Sequence, residues 1–95
     1  MALPNFLQPY LASYDLSKLD VRRDKQLIIT QILNKGNYQA LHWLGKTYSR
    51  KEIKEEISSP TPGMWLKSTL LYWLKIFNIK IDKKTFNRAA LNLRP

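Results

Sequence analysis

Apolar residues in this chain return every three or four positions and strand-like alternation is nearly absent, so the pattern predicts an all-α fold. The clearest stretch is Leu27 to Leu44, LIITQILNKGNYQALHWL, which reads as two helices meeting at Lys35-Gly36-Asn37. On the first, Val21, Ile28, Ile29, Ile32 and Leu33 share one side, while Thr30 falls among the polar positions opposite. Asp20 is placed to cap its first turn, Gly36 to close it in the left-handed conformation, and Asn37 to cap the helix that follows. On the second helix Tyr38, Leu41, Leu44, Gly45 and Tyr48 share a face. A glycine inside a helix costs about 1 kcal/mol relative to alanine, so Gly45 predicts close approach of another helix.

The flanking segments read as shorter pieces packed around this pair. Residues 1–14 mix prolines with Phe6, Leu7, Tyr10, Leu11 and Tyr14, and predict an irregular arm or one short helix that lays its aromatics on the core. Ser49-Arg50-Lys51-Glu52 has the form of a capping box, opening a helix to about Ile57. Only Ile53 and Ile57 point inward from it, which predicts a solvated outer helix. Residues 58–63, SSPTPG, form a Pro/Gly loop. After it comes MWLKSTLLYWLKIFNI, the most apolar stretch, with Leu66, Leu70, Trp73, Leu74 and Phe77 on one face and Trp65, Thr69, Tyr72 and Ile76 widening it. A face that broad needs neighbours on more than one side, so this helix is either buried at the centre or meets another chain. Asp82 caps a basic C-terminal helix over 82–93, with Phe86, Ala89, Ala90 and Leu93 inward. The chain thus reads as one domain over 1–95, a single compact bundle of about five short helices.

Composition narrows the role more than it names one. Ninety-five residues, 44% of them hydrophobic, suffice for a core without staples. The absence of cysteine removes disulfide and thiolate chemistry and suits the cytoplasm. The first residues have no basic leader followed by an unbroken apolar run, which predicts no signal peptide, and no stretch is apolar enough to span a membrane. The net charge is +9 and uneven: residues 58–95 hold seven Lys or Arg against Asp82 alone. That asymmetry points to an acidic partner, with nucleic acid a common kind.

The motifs of catalysis are missing. One histidine, His42, and seven scattered acids supply neither a metal-ligand cluster nor a Ser-His-Asp arrangement. Three glycines do not make a phosphate-cradling loop. The expectation is a protein that is not an enzyme and takes no cofactor or metal. Lys80, Lys83, Lys84, Arg88 and Arg94 form a basic C-terminal segment suited to phosphate contacts, which confer affinity rather than sequence reading.

Leu19-Asp20 before a helix, Ile28-Ile29 with Ile32-Leu33, Gly36, Leu41-x-Trp43-Leu44, Tyr48, Ile53 with Glu55, and the later Tyr72-Trp73 form a pattern over roughly residues 15–80. It resembles a family of small, mostly uncharacterised prokaryotic helical proteins, often encoded beside nucleotidyltransferase-type toxins of abortive-infection systems. The resemblance implies an antitoxin-like role and carries no catalytic residue. The expected function is therefore protein binding, as an antitoxin-like or regulatory partner of a toxin, with Trp43, Trp65 and Leu71 as anchors. Nucleic-acid binding through a helix-turn-helix-like arrangement and action mainly as a homo-oligomer are the alternatives.

Overall fold

Short polar side chains start three of the five α-helices in the computed structural model, which describes residues 3–91. These helices are α1 (Lys25–Lys35), α2 (Tyr38–Thr47), α3 (Arg50–Ser58), α4 (Lys67–Ile76) and α5 (Lys83–Ala89), preceded by 3-10 segments at Asn5–Leu11 and Leu16–Lys18. Asn37 Oδ1 accepts from the Ala40 amide at the start of α2, and Asp82 from the Thr85 amide at the start of α5. Ser49 and Glu52 close a full capping box on α3. The fold is all-α, and its radius of gyration, 13.1 Å, is that of a packed chain of this length. Among the described residues, no helix is long and apolar enough to cross a membrane.

The entry to α1 differs from the simple cap expected of Asp20. Asp20 Oδ2 accepts from the amides of Arg22 and Arg23, while the Asp20 amide donates to Asp24 Oδ2 at 2.8 Å. The two carboxylates brace a preliminary turn, and regular helix begins only at Lys25. Gly36 is also not left-handed: its φ of −65° and ψ of 145° are extended. Its glycine identity has a steric cause instead. A Cβ there would lie 2.6 Å from the Ile32 carbonyl oxygen and 3.2 Å from the Ala40 Cβ, so α2 can leave α1 this closely only without a side chain.

The buried centre is α1, which packs against the first 3-10 segment, α2, α3 and α4. Ile28, Ile29 and Ile32 are fully enclosed. From the N-terminal arm it is the leucines, Leu3, Leu7 and Leu11, that fill the core, while Phe6 and Tyr10 are only partly buried against it. The most apolar helix, α4, is not the central one. It buries Leu70 and Leu74 and leaves Leu71, Tyr72 and Ile76 half exposed.

Two polar residues lie where the periodicity placed water. Thr30 on α1 and Glu56 on α3 are both buried, so α3 is not a fully solvated helix. Glu56 Oε2 lies 3.0 Å from Thr30 Oγ1 and accepts from the Thr61 amide, the Thr61 hydroxyl and the Trp65 indole. Thr30 Oγ1 also lies 2.7 Å from the Gln26 carbonyl, so its one hydroxyl hydrogen is shared between two acceptors.

The chain turns at Gly63, whose φ is 73°, and then pairs Trp65 with Ala90 instead of opening α4, which begins only at Lys67. Gly63 and Trp65 donate backbone amides to the Arg88 and Ala89 carbonyls, and the Leu91 amide returns to Trp65 O at 2.7 Å. Asn34 at the end of α1 clamps the same strip through the Met64 carbonyl and the Leu66 amide. The C-terminal helix is thus tied by backbone bonds. Ala89 and Ala90 are buried as expected, Phe86 only partly, and Leu93 and Arg94 lie outside the described residues.

Candidate partner-binding groove and basic surface

The three expected anchors separate in the structure. Trp65 is fully buried, since its ring fills the core and its indole N–H serves Glu56; it is not a surface anchor. Trp43 is half-buried at the core edge, edge-on to Tyr48 with ring centroids 6.2 Å apart. Leu71 is 50% exposed, beside Tyr72 at 55% and Ile76 at 54%. Only Leu71 keeps an anchor's accessibility, and it belongs to an apolar strip on α4 rather than to a cluster with the tryptophans. Tyr38, expected on the inward face of α2, is 84% exposed, stacked on His42.

Next to that strip a groove runs between α2 and α4. One depression, about 260 Å³, has Leu41, Leu44 and Gly45 on α2, Trp73 and Phe77 opposite, and Arg50 at its margin. A second, about 290 Å³, is lined by Gly36, Ser68, Thr69 and Tyr72. Both share Leu33, Leu41 and Trp73, so the two depressions adjoin along one groove. The Trp73 indole N–H donates to the Leu33 carbonyl at 3.0 Å, which fixes the ring. Sequence reasoning placed Trp73 in the core and missed this role.

Gly45 does not have the close helix neighbour expected of it. A Cβ built there meets no heavy atom within 4 Å, so bare α2 backbone faces open space in the groove. The electrostatics of the walls are one-sided. α2 and α4 contain Lys46, Lys67 and Lys75 and no acid, and the Arg50 guanidinium sits 4.7 Å from the centre of the Phe77 ring.

The basic C-terminal residues lie on a different part of the surface. Lys80, Lys83, Lys84 and Arg88 are all exposed. Among the described residues the ion pairs join Arg22 and Lys25 to Glu52 and Arg23 to Asp24, so these four cations have none. Asp82, the acid amid them, is held below the usual carboxylate range by hydrogen bonds from Thr85 and stays charged as a helix cap.

A third depression, about 480 Å³, opens between α1 and α3 and is lined by both Lys25 and Lys54 and by Glu52, Glu55 and Glu56. Its charges are of both signs, and Glu52 is already paired with Arg22 and Lys25. Hydrogen bonds from the Ser49 backbone, then Arg22 and Lys25, hold the Glu52 carboxyl down at about 2. No group of three or more metal-ligating side chains comes together among the described residues.

A family model described as a family of unknown function (DUF6922) matches residues 8–57. No curated protein and no solved structure matches the chain. The matched span starts before, and ends well short of, the 15–80 pattern. It holds α1, α2 and all but the last residue of α3, and therefore one wall and much of the floor of the groove, while α4 and the basic helix fall outside it.

Proposed function

The chain belongs to this family of unknown function, so its role is read from its own surface, and we propose that it acts as a small non-enzymatic protein-binding module. The observation that carries this reading is the half-exposed strip of Leu71, Tyr72 and Ile76 beside the groove at Trp73. Single exposed apolar residues are ordinary, but three within two turns, next to an apolar depression, are of the kind found at binding sites. The partner in this proposal is another protein, and an antitoxin-like role against a nucleotidyltransferase-type toxin is the specific form suggested by the sequence resemblance. Co-expression with the product of the adjacent gene, followed by gel filtration, tests it. The expected outcome is co-elution that is lost in the Leu71→Glu, Ile76→Glu double variant; independent elution of the unmodified proteins at micromolar concentration overturns it.

A second reading, nucleic-acid binding as a separate or autoregulatory activity, is favoured by one observation: the four exposed C-terminal cations have no ion pair among the described residues. Such cations suit phosphate contacts, which set affinity and its salt dependence.

A further inference from the structure

Gly45 is a glycine that the fold itself does not use. It lies inside α2, where glycine lowers helix stability relative to alanine. Its φ is outside the left-handed range, and an added Cβ would touch nothing. The contrast with Gly36 is direct, because there an added Cβ would collide with the Ile32 carbonyl. What the missing side chain at position 45 does create is access: in the depression lined by Leu41, Trp73 and Phe77, an incoming group can reach the α2 backbone.

We propose that this groove receives an amphipathic helix from an acidic partner protein, with an apolar side chain seated against Gly45. The inference rests on the protein-binding reading and adds the chemistry of the partner. Charge complementarity identifies it. The groove lining holds no acid and one charged residue, Arg50, which stands over Phe77 with no ion pair among the described residues, and the helices α2 and α4 carry Lys46, Lys67 and Lys75 and no acid. Glutamates flanking the partner's apolar residues meet these cations, while a second copy of this chain, at +9, brings like charge to the same place. The two depressions adjoin at Leu33, Leu41 and Trp73, and neighbouring recesses of this kind suit side chains from one apolar face of a helix.

The test uses the full chain and three synthetic peptides followed by NMR shift titration at low salt. The first carries leucines at i, i+3, i+4 and i+7 with glutamates on its polar face; the second scrambles that order; the third replaces glutamate by lysine. The first is expected to bind about tenfold or more tightly than the others, with shifts at Gly45, Trp73 and Phe77. Gly45→Trp fills the groove from its own wall without replacing a core residue, so it is expected to fold and to weaken that binding at least about tenfold. Gly45→Leu serves the same purpose if the larger ring disturbs the fold. Equal binding of the scrambled or lysine peptide, or undiminished binding to the filled variant, overturns the inference. So does a dimer of the chain alone that Gly45→Trp dissociates. A protein partner released by the Leu71→Glu, Ile76→Glu variant but retained by Gly45→Trp sinks the inference and leaves the protein-binding reading standing. Absence of any partner in the co-expression experiment sinks that reading instead.

Discussion

The Trp65 indole donates to Glu56 Oε2 across 3.3 Å, joining the strip before α4 to α3 inside the core. The same oxygen accepts from Thr61 and lies against Thr30, so one carboxylate fastens α1, α3 and the Pro/Gly loop. Replacing it by an apolar residue leaves buried donors without acceptors, at about 1–3 kcal/mol for each. Glu56→Leu is expected to lower the unfolding free energy by about 3 kcal/mol or more in urea titrations, and Thr30→Val by about 1 kcal/mol. A Glu56→Leu protein as stable as wild type would show that this network does not hold the loop.

Two glycines should respond oppositely to alanine. Gly36→Ala forces a Cβ against the Ile32 carbonyl oxygen at 2.6 Å, so the α1–α2 junction must shift. Strain of this kind costs about 1–3 kcal/mol. Gly45→Ala meets nothing and should gain up to about 1 kcal/mol from helix propensity. Thermal melts of the two variants decide the matter, and the same sign for both contradicts the steric account.

Acid should weaken the fold through Glu52. Its carboxyl titrates at about 2, against an ordinary value of 4.5, chiefly because the Ser49 amide and then Arg22 favour the charged form. In the unfolded chain it takes up its proton first. Its stabilisation is therefore complete above pH 4.5 and is lost progressively as the pH falls towards 2. Asp15, Asp20, Asp24 and Asp82 are depressed in the same direction. Melting temperature should fall steeply over this window, and Glu52→Gln should be less stable at neutral pH with a flatter acid limb. Parallel pH profiles for the two proteins would refute the assignment.

Binding to duplex DNA through Lys80, Lys83, Lys84 and Arg88 should show a log–log salt slope of about −3 to −4. Changing Lys83, Lys84 and Arg88 to Gln should reduce the slope by about 2–3 while leaving the melting temperature nearly unchanged, since all three are exposed and have no ion pair among the described residues. No affinity at low salt removes the nucleic-acid reading.

The sequence by itself determined what rests on neighbours along the chain. Asn37, Ser49 and Asp82 start their helices because a cap needs only amides two or three residues on. Ile28, Ile29, Ile32 and Leu33 are buried because helical spacing places them together. The all-α class follows from the same periodicity. Tertiary structure alone decided the rest, because each remaining question turned on what a distant segment brings. Thr30 and Glu56 look solvated on their own helices, and become interior only because Thr61 and Trp65 arrive to satisfy the carboxylate. Trp65 reads as part of α4 until the Ala89 and Leu91 backbone holds it extended. Gly36, which ends α1, and Gly45, inside α2, both read as sites of close approach or tight turning, and only the Ile32 carbonyl beside one and the open groove beside the other show which is. The exposed strip on α4 was likewise not readable from its apolar pattern: periodicity ranks faces by hydrophobicity, whereas burial depends on how many neighbours the other helices can supply.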